Sequence, residues 1–156
     1  MTQADAVLRD LIARILEGHG FGRSGGTFVR RLEEVVQSVE LQKSQWGRQY
    51  YLNIGFWILA LGPIARVRDR DMQIRLRFDL VLPAEERARI ASLLDLDSLL
   101  EQHERLSELE SLLHRALVPF LEAERSVSAL RRGVEEGPLK SGFIKANAKE
   151  FLTRPQ

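Results

Sequence analysis

The sequence contains no cysteine, which excludes disulfide bridges, thiolate catalysis and cysteine-held metal. Its 156 residues hold only three histidines, two tryptophans and two tyrosines, so imidazole chemistry and aromatic stacking have few places to occur. Neither sign of charge dominates: 23 basic residues stand against 22 acidic ones, a net of +1. Bulk attraction to nucleic acid or to an anionic membrane surface is therefore not expected. Long apolar runs are missing as well. The longest, Phe56 to Leu61, falls far short of the roughly 20 residues that cross a bilayer. The opening stretch MTQADAVLRDLI breaks its apolar pattern with charges and lacks the continuous core of a signal peptide. Together these absences predict a cytoplasmic protein with no membrane partner and no cofactor.

What is present suits one core. An apolar fraction of 44% with 29% charged residues is ordinary for a globular chain of this length. A single α+β domain over residues 1–156 is expected, with residues 133–156 as a C-terminal helical extension. From Ala4 to Glu17 the apolar residues Val7 or Leu8, Leu11, Ile12, Ile15 and Leu16 recur on one helical face, and Gly18 and Gly20 offer a stop. Strands are predicted over Thr27–Leu32, from Val35 to Gln42, from Tyr50 to Leu59, and over Met72–Leu82. The last alternates with period two, placing Arg75 and Arg77 opposite Ile74, Leu76 and Phe78. Pro83 then opens a helical half, in which Asp97 can cap a helix and Pro119 should kink one. The predicted fold is an antiparallel sheet of about four strands, covered on one face by the N-terminal helix and the C-terminal helices.

Candidate chemistry is sparse. GRSGGTF is rich in glycine but lacks the lysine of a phosphate loop and runs into a strand, so it is expected to be a turn. His103 and His114 share a helix face but stand about 16 Å apart along it, too far for one metal ion. The pairs Asp69/Asp71 and Glu33/Glu34 fall in predicted turns, where solvation explains them better than acid–base work. The arginines are more promising. Arg75 and Arg77 stand on the polar side of their strand, near Asn53 or near Glu40 and Gln42 on the same face if that strand neighbours the central one. A guanidinium fork binds carboxylate or phosphate bidentately. An RNA-binding sheet would interleave aromatics with these arginines, but Phe78 points the other way. The nominated site is Gln42, Lys43, Asn53, Arg75 and Arg77. Its expected role is non-catalytic binding of a protein partner. The alternative is an enzyme or small-ligand binder that clamps an anionic substrate with Arg75 and Arg77. Trp46, Tyr50 and Trp57 are candidates for a homodimer seam.

Several ordered stretches also share a pattern. GFGRSGGTFVR, VVQSVELQKSQWGRQYYLNIGFWI, MQIRLRF and RALVPFLE resemble the successive motifs of an uncharacterised bacterial family, domain of unknown function 4304. The resemblance spans most of residues 5–132. Its "GF" and "TF" fall on Gly20-Phe21 and Thr27-Phe28, and its "LQKS" on Leu41 to Ser44. Its "NLG" falls on Asn53-Ile54-Gly55 and its "PF" on Pro119-Phe120. The family's "HIR" falls on Gln73-Ile74-Arg75, and glutamine in place of histidine speaks against a histidine-based reaction in this chain. The resemblance implies one domain and no established reaction.

Overall fold

The computed structural model describes residues 2–155. Helix α1 (Gln3–Glu17) starts at a capping box in which Thr2 and Asp5 satisfy each other's backbone amides. Six strands follow in meander order, each antiparallel to its neighbour: β1 (Gly22–Ser24), β2 (Thr27–Arg31), β3 (Val35–Lys43), β4 (Tyr50–Ile58), β5 (Ile74–Arg77) and β6 (Phe143–Ile144). The expected four strands are thus corrected to six. The middle four overlap the predicted strands, the fourth being much shorter than Met72–Leu82; the two edges were missed. β1 lies in the glycine-rich stretch and pairs Arg23 with Phe28, while Gly25, at φ 64°, makes the turn between the two strands. β6 is only two residues long and lies inside the stretch expected to be a helical extension.

Between β5 and β6 come α2 (Ala84–Leu93), α3 (Gln102–Leu112), α4 (Val118–Ala123) and α5 (Val127–Glu136); α6 (Ala146–Thr153) ends the described chain. Pro119 does not break its helix. A π turn over Leu113–Leu117 joins α3 to α4, and the Val118 amide reaches back to the Leu113 carbonyl just before the proline that lacks one. Glu101, not Asp97, caps α3; Asp97 instead accepts from the Arg48 amide. α4 stops at Ala123, and α5 restarts after the Ser126 cap and ends at Gly137.

The main core lies between the sheet and the helices. Val35, Val39, Ile54, Phe56, Ile58 and Ile74 meet Leu8 and Ile12 of α1 and Leu109, Leu113 and Leu117 of the α3–α4 rod. Phe56 packs edge-on against Phe120, with ring centroids 6.0 Å apart. A buried polar group also belongs to this face. Arg30 is buried, donates to Gln37, Glu122 and the carbonyls of His19 and Leu121, and lies over Phe21. Gln37 in turn donates to the carbonyls of Leu121 and Glu124, so cation and amide together occupy the open carbonyl end of α4.

The outer face of the sheet is partly covered too. After β4 the chain crosses this face, and Val67 and Met72 pack on Val36 with Trp57 and Ile64 alongside. Met72 therefore lies on the face opposite Ile74, against the alternation expected of it. The strand predicted to reach Leu82 also ends early, at Arg77, because Phe78–Val81 winds into a 3-10 turn. Gly55 permits this crossing. A Cβ there would sit 2.5 Å from Ser38 Oγ and 2.6 Å from Met72 Cγ, inside any tolerable contact.

Candidate binding groove on the sheet

Strand register decides which nominated residues can act together. Asn53 pairs with Arg77 and with Glu40, Gly55 pairs with Arg75, and Gln42 pairs with Tyr51. All of these project from the outer face because they are in phase across β3, β4 and β5. Gln42, Asn53, Arg75 and Arg77 line one open groove of about 550 Å³, together with Asp69 and Phe143. The Asn53 amide donates to Gln42 at 2.7 Å, fixing both side chains in the floor.

Lys43 does not join them. As the next residue after Gln42 it points to the opposite face, where its amino group lies 3.9 Å from Asp5 and over the Tyr50 ring. It belongs to a polar cluster at the start of α1. The buried Asp5 carboxylate accepts from Thr2 and from the Tyr50 hydroxyl, and these bonds hold it well below the usual carboxylate range. Burial and the Asp5 charge push the Tyr50 hydroxyl up. Tyr50 is only 2% exposed, Trp57 is half-buried and donates to the Gly62 carbonyl, and Trp46 is 88% exposed.

The two arginines have different surroundings. Arg75 donates through Nε and Nη2 to Asp69 Oδ2, and the side chain of Asp69 is 5% exposed. This is the internal neutralisation of a cation by the crossing segment. Arg77 has no ion-pair partner among the described residues, and its guanidinium lies 4.0 Å from the Tyr51 ring centroid. Burial raises the pKa of both Asp69 and Glu40, and for Glu40 the Asp69 charge adds to it. The groove thus combines an available cation, one paired with Asp69, and the aromatic edge of Phe143, which is 56% exposed; Glu40 lies on the same face opposite Asn53.

Sequence reasoning missed Asp69 and Phe143, which reach the groove from a crossing loop and from the far end of the chain. It also missed that His19 approaches His114, ring centroids 6.4 Å apart. Among the described residues, no group of three or more histidine, aspartate or glutamate side chains is placed to hold a metal ion. No helix among them is long and apolar enough to cross a membrane. Gln73, where histidine was expected by resemblance, is buried and its Oε1 accepts from the Ile58 amide at 2.7 Å, a bond that ties the β5 approach to β4.

Fold and groove together define an α+β domain built on a six-stranded antiparallel meander, with helices on one face and a polar, arginine-bearing groove on the other. Residues 12–123 match the model of the DUF4304 family, a domain of unknown function. The chain belongs to this family. Comparison with curated proteins and with solved structures returned no match.

Proposed function

We propose that the chain is a non-catalytic protein-interaction domain whose outer-face groove takes an acidic segment of a partner. The observation that carries this is Arg77: exposed, without a carboxylate partner among the described residues, and pre-oriented by Tyr51 beside the exposed Phe143. Arginine and aromatic side chains at the centre of a contact contribute most of the binding energy at protein interfaces. The groove is open rather than deep, which suits a chain segment more than an enclosed small molecule. The absence of cysteine supports a cytoplasmic setting, since nothing in the chain depends on an oxidising compartment.

The test is affinity capture from native lysate with quantitative mass spectrometry, run in parallel on the parent protein and Arg77→Glu. Charge reversal should weaken capture of a specific partner by roughly 30-fold or more while the thermal unfolding midpoint stays put. Equal recovery of that partner by both proteins would remove the groove from the interface.

A second reading rests on Glu40 and Asp69. Two carboxyls with raised pKa beside arginines suit proton transfer on an anionic substrate held by Arg75 and Arg77. Glu40→Gln separates the two: turnover of such a substrate would fall by about a hundredfold or more, whereas partner affinity would hold.

A further inference from the structure

We infer that a cleft between α5 and α6 is a second binding site, taking a single-chain anionic amphiphile with an apolar tail and a carboxylate or phosphate head. α5 supplies Arg131 and Val134, α6 supplies Lys149 and Leu152, and Lys140 and Ile144 close the space between them, giving a cleft of about 570 Å³. That volume falls within the range of small-molecule sites, roughly 300–1,000 Å³, and a gap between helices is a usual place for one.

The lining divides by chemistry. Leu152 is buried and Val134 and Ile144 are half-buried, so the interior is apolar. Four cations, Arg131, Lys140, Lys149 and Arg154, face it against one carboxylate, Glu135. The Arg131 Nε donates to the Leu152 carbonyl at 2.8 Å, which pins its cation to the wall. Arg154 is engaged by Glu150 in an exposed pair of little strength. Lys140 and Lys149 have no ion-pair partner among the described residues, and both are exposed, which leaves them for a head group. A concave cleft with an apolar interior and a cationic mouth accepts one chain at a time. A bilayer, by contrast, presents a flat array of heads and would be met by a convex basic face. The cleft lies beyond residues 12–123, so it stands independently of the family match, and it shares no lining residue with the sheet groove.

The test uses the full chain and isothermal titration calorimetry with dodecanoate and dodecyl phosphate below their micelle concentrations, alongside methyl NMR of Val134, Ile144 and Leu152. At least one of the two should bind saturably at one site and move these methyls, and the tighter of the pair identifies the head group. Butyrate and dodecyltrimethylammonium should each bind at least about tenfold more weakly, as should the same ligand to Lys140→Glu/Lys149→Glu. Both lysines are exposed, so the double variant should keep its thermal midpoint. Equal affinity for the cationic chain, affinity unchanged in the double variant, or binding only to anionic vesicles would each overturn the site.

Discussion

Glu124 and Asp5 are both buried carboxyl groups, and they oppose each other in their effect on stability. Glu124 lies against Gly133 of α5 with Oε2 unpartnered among the described residues, and burial pushes its pKa up to about 7. The unfolded chain ionises this group near 4.5, so stability is full below that pH and is lost as pH rises toward about 7. The loss is about 2–3 kcal/mol, and Glu124→Gln should abolish it: urea unfolding at pH 5 and pH 8 should give a smaller difference for the variant than for the parent. Asp5 runs the other way. Its pKa is depressed, so its contribution is present above about 3.8 and disappears as pH falls below that value. Asp5→Asn should cost on the order of 2 kcal/mol at pH 7 and clearly less at pH 2, where the unfolded chain is already protonated and part of the contribution is gone, read from chemical denaturation at the two pH values. Gly55 tests the crossing segment. Gly55→Ala should destabilise by about 1–3 kcal/mol through overpacking, and Met72→Ala in the same chain should recover part of that cost in a double-mutant cycle.

At the level of elements, the sheet is pinned at its last strand by a close approach. A Cβ on Gly142 would lie 2.7 Å from the Arg75 carbonyl, and the Lys145 amide donates to the Gln73 carbonyl at 2.8 Å just beyond β6. Gly142→Ala should therefore loosen this edge. Hydrogen exchange at Lys145 should accelerate by at least about tenfold while the β3–β4 amides keep their protection; acceleration throughout the sheet would mean that β6 and the centre open together. The elements also show why some of the fold was legible and some was not. β3 and β4 have long period-two patterns, and their apolar sides had to meet the helices. β1 carries no apolar residue in Gly22–Ser24, and β6 is two residues long, so neither leaves a periodic signal. Beyond Arg77 the apolar spacing persists through Phe78, Leu80 and Leu82, yet a 3-10 turn replaces the strand; period alone does not separate the two. The same parity rule that grouped Asn53, Arg75 and Arg77 also assigns Lys43 to the opposite face from Gln42. Asp69 and Phe143 were beyond local pattern, since only tertiary packing brings them to the groove.

For the molecule as a whole, the helices cover one face of the sheet and a crossing loop covers part of the other. The strip from Gln42 to Phe143 stays open there, and Arg77 is its cation without an ion-pair partner among the described residues. An acidic segment bound there would gain a charge-assisted fork and an aromatic contact without the protein having to rearrange its core. The most direct measurement of this claim is a two-dimensional amide NMR titration of the parent protein and Arg77→Glu with a glutamate- and aspartate-rich peptide. Shifts confined to Gln42, Asn53, Arg75, Arg77 and Phe143 in the parent, and lost in the variant, are the predicted result. Shifts centred on the α5–α6 cleft, or a groove unmoved at saturating peptide, would contradict it.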